Sequence, residues 1–97
     1  MGNIEDDELY SIHADVCKAF TNKARLKIID QLRDGERSVG ELAEAVESSQ
    51  SNISQHLNVL KNKDFVKSRK EGNRIYYSVT NKKIFDAFDL IREMIME

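Results

Sequence analysis

Residues 50–58 read Gln50-Ser51-Asn52-Ile53-Ser54-Gln55-His56-Leu57-Asn58. Ile53 and Leu57, with Leu60 beyond them, fall at i, i+4 and i+7, which is one stripe of a helix. The other side chains are short, polar and almost uncharged, whereas an ordinary solvated helix carries more Lys and Glu. Short amides and hydroxyls suit the donor and acceptor patterns on base edges in the major groove of DNA. Asn52, Gln55 and His56 are the base-edge candidates. Gln50 and Ser51 stand at the helix N-terminus, where backbone N–H groups and the dipole favour phosphate; they could equally be caps. Ser54 can contact DNA or bond its own helix backbone. His56 can face DNA or sit at the edge of the core.

A second set of residues follows closely. Lys67, Arg69, Lys70, Asn73 and Arg74 lie in a β-rich stretch where the apolar period has changed from 3.6 to 2. Cations there can reach phosphates or the minor groove and add salt-dependent affinity with little sequence information. The competing reading is a strand edge protected by charge. The chain carries 15 basic and 17 acidic residues, net −2, but the charge is segregated. Residues 49–80 hold Lys61, Lys63, Lys67, Arg69, Lys70 and Arg74 against Asp64 and Glu71. The flanking segments are acidic on balance. A basic segment inside an acidic chain is the footprint of a polyanion-binding face.

The elements that position these residues are legible from period and caps. Residues 1–7 read as a flexible tail. Leu9, Ile12 and Val16 place a first helix over about Glu8–Phe20. Asn22 can cap a second, about Lys23–Arg33, which Asp34-Gly35 ends. Ser38 three residues before Glu41 is a capping-box spacing that opens a short third helix. The polar helix, about Ser51–Lys61, is the fourth. Phe65–Lys70 and Arg74–Val79 form strands joined by the three-residue link Glu71-Gly72-Asn73. The second strand puts Ile75, Tyr77 and Val79 on one face. Asn81 can cap a last helix whose stripe is Ile84, Phe88, Ile91 and Ile95. The fold class is therefore mainly α with a β-hairpin, in the order α-α-α-α-β-β-α, a winged helix-turn-helix over residues 8–97.

The 97 residues allow one small core, marginal alone and without disulfides, since Cys17 is the sole cysteine. The first and last helices present more apolar surface than such a core absorbs. Leu9, Ile12, Val16, Ile84, Phe88, Ile91 and Ile95 are thus expected at the interface of a symmetric homodimer. Such a dimer sets two reading helices about 34 Å apart, one turn of DNA, for a palindromic double-stranded operator. His13 and Cys17, at i and i+4, are weak metal or redox candidates across a dimer; the favoured reading makes Cys17 a small buried hydrophobe and His13 a surface residue. Asp86, Asp89 and Glu93 share a face of the last helix and read as solvated charge. No metal site and no cofactor are expected. No run approaches the roughly 20 apolar residues of a membrane span, and the acidic start is no signal peptide, so a cytoplasmic protein without membrane partners is expected. There is no nucleophile–base–orienter set, no Gly-rich phosphate loop and no His-Glu-x-x-His, so an enzyme is not expected. A winged helix used for protein–protein interaction is the alternative.

From Ala19 to Asn81 the sequence resembles the ArsR/SmtB family of winged-helix transcriptional regulators. The resemblance lies in Ala24-Arg25-Leu26-Lys27-Ile28-Ile29, in Val39-Gly40-Glu41-Leu42-Ala43, in Ser49 through Lys61, and in Arg69-Lys70-Glu71-Gly72-Asn73-Arg74-Ile75-Tyr76-Tyr77. It implies a homodimer, DNA binding by the fourth helix and the wing, and repression of a nearby promoter, often released by an inducer. Asn22-Lys23 replaces an Asp-Pro found in many members. Ser38 and Gly40 stand where arsenic-, cadmium- and lead-sensing members carry Cys-x-Cys. The last helix lacks the His of zinc-, nickel- and cobalt-sensing members.

Overall fold

The computed structural model describes residues 4–97. Helix α1 spans Asp6–Ala19, with Asp6, Asp7 and Glu8 in its first turn. Those carboxylates complement the positive end of the helix dipole. The acidic run expected as a tail to residue 7 is therefore helical from Asp6; residues 1–3 of that tail lie outside the described residues. Helix α2, Lys23–Gln31, is capped by Asn22, whose Oδ1 accepts from the Arg25 backbone N–H at 3.2 Å. It stops at Leu32, short of the expected Arg33, and Gly35 makes the turn at φ +135°.

A two-residue strand not anticipated from the sequence follows. β1, Arg37–Ser38, pairs antiparallel with β3, Arg74–Val79, through Arg37 opposite Tyr77 and Ser38 opposite Tyr76. β2, Val66–Glu71, pairs with the other edge of β3, giving a three-stranded sheet in the order β1-β3-β2. Glu71 pairs with Arg74, so the wing turn is the two residues Gly72-Asn73 rather than three. Gly72 takes φ +60° at the first turn position, where glycine adopts a positive φ without cost.

Helix α3, Val39–Val46, opens on the expected capping box. The Glu41 N–H donates to Ser38 Oγ at 3.2 Å, and the Ser38 N–H donates to Glu41 Oε1 at 2.9 Å. Those hydrogen bonds hold the Glu41 carboxyl below its ordinary range. Helix α4, Gln50–Asn62, is capped by Ser49, so Gln50 and Ser51 form its first turn and are not the cap. Helix α5, Lys83–Met96, begins where Asn81 Oδ1 accepts from the Lys83 N–H at 2.9 Å.

Ile28, Ile29, Leu42, Ile53, Leu57, Leu60 and Val66 close the core from α2, α3, α4 and β2. Tyr77 and Val79 join it from β3, but Ile75, on the same face, is 42 % exposed because the wing runs past the core. Phe20 ties the ends of the chain together. Its ring lies 4.7 Å from Phe65 and 5.1 Å, edge-on, from Phe88. An ion-pair cluster fastens α5 to α2. Arg33 bridges Asp30 (3.1 Å) and Asp89 (2.7 Å), and Arg92 reaches Asp30 at 2.6 Å. Asp89 is therefore a paired structural charge rather than a free carboxylate on the last helix.

Candidate nucleic-acid interface

Helix α4 turns Ile53, Leu57 and Leu60 into the core. At 100° per residue, the opposite side of the helix carries Ser51 and Gln55, with Asn58 next to them. Ser51, Asn52, Gln55 and Asn58 are all exposed. Gln50 and Ser54, one turn apart, lie on the flank toward the wing. Both line an open groove of about 660 Å³ together with Asn73, Arg74 and Ile75. Gln50, Ser54 and the tip of the wing therefore border one concave surface, with Glu41 and Glu44 of α3 also lining it, whereas the base-edge candidates Asn52, Gln55 and His56 lie outside it.

The wing cations divide into two kinds. Lys67, Lys70, Asn73 and Arg74 are exposed, and the three cations among them are in no ion pair with another described residue. Arg69 is different. Its guanidinium pairs with Glu36 at 2.5 Å and Glu71 at 2.9 Å and stacks over Tyr76 at 5.0 Å. These carboxylates keep Arg69 charged, and in return Glu36 is held below its ordinary range. Arg69 braces the wing against the loop before β1.

His56 lies on the flank of α4 toward α2, partly buried, with Nδ1 accepting from Arg25 Nε at 3.3 Å. An arginine can only donate, so Nδ1 carries the lone pair and Nε2 the hydrogen. Any ligand contact by His56 is then as an Nε2–H donor. Burial first, and the Arg25 charge second, push its pKa down. Arg25 also donates from Nη1 to the Ala19 carbonyl at 3.3 Å, joining α1, α2 and α4 at one point.

His13 and Cys17 share an apolar groove of about 380 Å³ between α1 and α5, with Val16, Phe20, Ile84, Phe88, Ile91 and Ile95 on its walls. Cys17 is exposed in the protomer, which corrects the favoured expectation that it is buried. The thiol is uncovered because α1 buries Ala19 alone. No group of three or more His, Cys, Asp or Glu residues able to hold a metal occurs among the described residues. Of the expected interface residues, Leu9, Ile12, Ile91 and Ile95 are exposed, Val16 and Ile84 are half-buried, and Phe88 is packed into the protomer's own core.

Two cations hidden by the segment charge counts stand beside α4. Lys23 and Lys27 line a cavity of about 390 Å³ with Asn22, Ser48 and His56. The signal in the sequence is the stretch from Thr21 to Ile29, which holds Lys23, Arg25 and Lys27 and no acidic residue.

Residues 22–68, the span from the α2 cap into β2, match the family described as bacterial regulatory protein, arsR family. The transcriptional activator HlyU of Vibrio cholerae is 37% identical over 93 residues, covering 95% of this chain and 86% of HlyU. The chain belongs to the ArsR family. The fold is that family's winged helix-turn-helix, and its members are DNA-binding transcriptional regulators. The transcriptional repressor SdpR of Bacillus subtilis is 35% identical over 74 residues, covering 76% of this chain and 82% of SdpR. Among solved structures, the homodimeric winged helix-turn-helix DNA-binding domain of Mb0332 from Mycobacterium bovis superposes with a TM-score of 0.82 at 33% identity. It covers 100% of this chain and 92% of that one. No helix among the described residues is long and apolar enough to cross a membrane.

Proposed function

We propose that this ArsR-family chain is a homodimeric repressor that binds a palindromic operator in double-stranded DNA. The observation that carries the reading is the outward face of α4. Ser51, Asn52, Gln55 and Asn58 are exposed and uncharged there, and the groove on the wing side is bordered by Arg74. Amides and hydroxyls on a helix of groove-filling diameter can exchange hydrogen bonds with base edges. Gln50 and Ser51, in the first turn of α4, offer backbone N–H groups to phosphate. Lys67, Lys70, Asn73 and Arg74 add phosphate contacts, whereas Arg69 supports the wing.

Homodimer formation is supported by the exposed apolar residues of α1 and α5 and by the homodimeric state of the Mb0332 domain. Repression follows most directly from a compact dimer occupying promoter DNA, as the name of SdpR has it for that relative, while HlyU is named an activator. The regulator works without the thiolate site of metal-sensing members. Ser38 and Gly40 occupy the Cys-x-Cys positions, and Ser38 Oγ is engaged in capping α3.

The test is a fluorescence-anisotropy titration with DNA from upstream of the chain's own gene and with a scrambled duplex of the same length. Preference for the upstream DNA by roughly 10³-fold is expected. Replacing Gln55 and Arg74 by Ala removes that preference while the fold stays intact. A folded dimer that binds neither duplex overturns the reading. A reporter driven by the same DNA fixes the sign of regulation.

A further inference from the structure

We propose that Lys23 and Lys27 form a second phosphate-contacting patch, on the side of the reading helix away from the wing. The inference rests on DNA binding through α4. A helix of about 10–12 Å diameter seated in a major groove about 12 Å wide has a phosphate backbone on each side of it. The wing supplies cations to one side. Gln50 and Ser54 share that flank of α4 with Arg74. The other flank, set by the helical rotation, carries Asn52 and His56, one turn apart. His56 opens onto the cavity lined by Lys23 and Lys27, so these two lysines face the second backbone.

The local chemistry fits an anionic strand. Lys23 and Lys27 are at i and i+4, both exposed, and neither is in an ion pair with another described residue. The stretch from Thr21 to Ile29 contains no acidic side chain to neutralise them. Arg25, the third cation of the stretch, points inward to His56 and the Ala19 carbonyl. It fixes the start of α2 against α4 and so sets where the two lysines stand. On its far side Lys27 shares a cavity with Asp30 and Glu47, but Asp30 is already paired with Arg33 and Arg92. Phosphate is the one anion that a seated duplex presents along that flank.

The test compares salt dependences. The wild type, a Lys23→Gln/Lys27→Gln variant and a Lys67→Gln/Lys70→Gln variant are titrated against the upstream and scrambled duplexes at several salt concentrations. Each lost phosphate contact lowers the slope of log affinity against log salt by about 0.9. The Lys23/Lys27 variant is expected to bind both duplexes more weakly, with a slope shallower by about 2 per protomer and the preference between duplexes unchanged. A Lys23→Arg/Lys27→Arg variant keeps the charge and retains the wild-type slope. An unchanged slope in the Gln variant, with a shallower slope in the wing variant, overturns the patch alone. If the wild type binds neither duplex, DNA binding through α4 falls, and the patch with it.

Discussion

Ile28, Leu42, Ile53 and Leu57 in the helix-turn-helix body are each 0 % exposed, whereas Leu9, Ile91 and Ile95 on the terminal helices are 52 %, 51 % and 69 % exposed. The terminal helices are richer in apolar residues than α2 and α4, so composition alone would predict the opposite contrast. The body completes its burial within one chain, because α2, α3, α4 and the sheet cover one another and Phe85 and Phe88 of α5 close the remaining side. The terminal helices border one groove and commit few side chains to the protomer: Ala19 from α1, Phe20 just beyond it, and Phe85 and Phe88 from α5. Covering apolar area that is left in water favours association, and only the surplus over the entropy lost on binding appears as affinity. The body is thus closed within the protomer, whereas the terminal helices keep apolar surface that a second copy would cover.

The sharpest way to break this comparison is to cut the body. Leu57→Ala opens a cavity among side chains that cannot collapse into it, with an expected loss of about 2–5 kcal/mol. Urea unfolding at fixed protein concentration measures it. A loss below about 1 kcal/mol would mean that the body is not closed as described. The terminal helices should respond differently. Ile91→Glu sets a charge in the middle of the exposed stripe and should weaken self-association by roughly 30-fold. The circular-dichroism spectrum of the body should be unchanged. Sedimentation equilibrium reads the shift toward monomer. If the variant associates as the wild type does, the interface lies elsewhere.

The difference between the two regions also sorts what could be read from the sequence. Helices of the body were legible because their faces are buried on a 3.6-residue period and the caps Asn22 and the Ser38–Glu41 box act within three residues; at α4 the cap is Ser49 instead of the expected Gln50 or Ser51. β1 was not legible, since two residues show no period and its partner lies in β3, some forty positions later. Arg69 reads like Lys67 and Lys70 in the sequence; only the fold brings Glu36 to it. Cys17 was expected to be buried by residue type, and its exposure follows from how little of α1 the protomer covers. Lys23 and Lys27 were lost in a charge sum over a long acidic segment, although an acid-free window of nine residues marks them.

The smallest expected effect lies at the point where the two regions meet through a histidine, apart from the ion pairs that join α5 to α2. Arg25 reaches the end of α1 at the Ala19 carbonyl and the flank of α4 at His56 Nδ1. His56 has its pKa lowered in the folded protein, by burial and then by Arg25. Between that lowered value and the ordinary histidine value of about 6.5, the unfolded chain binds more protons than the folded one. Stability from this group is therefore fully present above about pH 6.5 and is lost as the pH falls through the lowered value. Glu36, Glu41 and Asp89 are held below the ordinary carboxylate range and stay ionised through this window, so they add no slope there. Taken from about pH 7.5 to about pH 5.5, the wild type should lose more stability than His56→Gln, whose amide does not titrate. Equal losses would show that the burial of His56, with Arg25 beside it, does not lower its pKa in solution. A protonated His56 cannot accept from Arg25, and the link between the terminal helix and the reading helix then depends on packing alone.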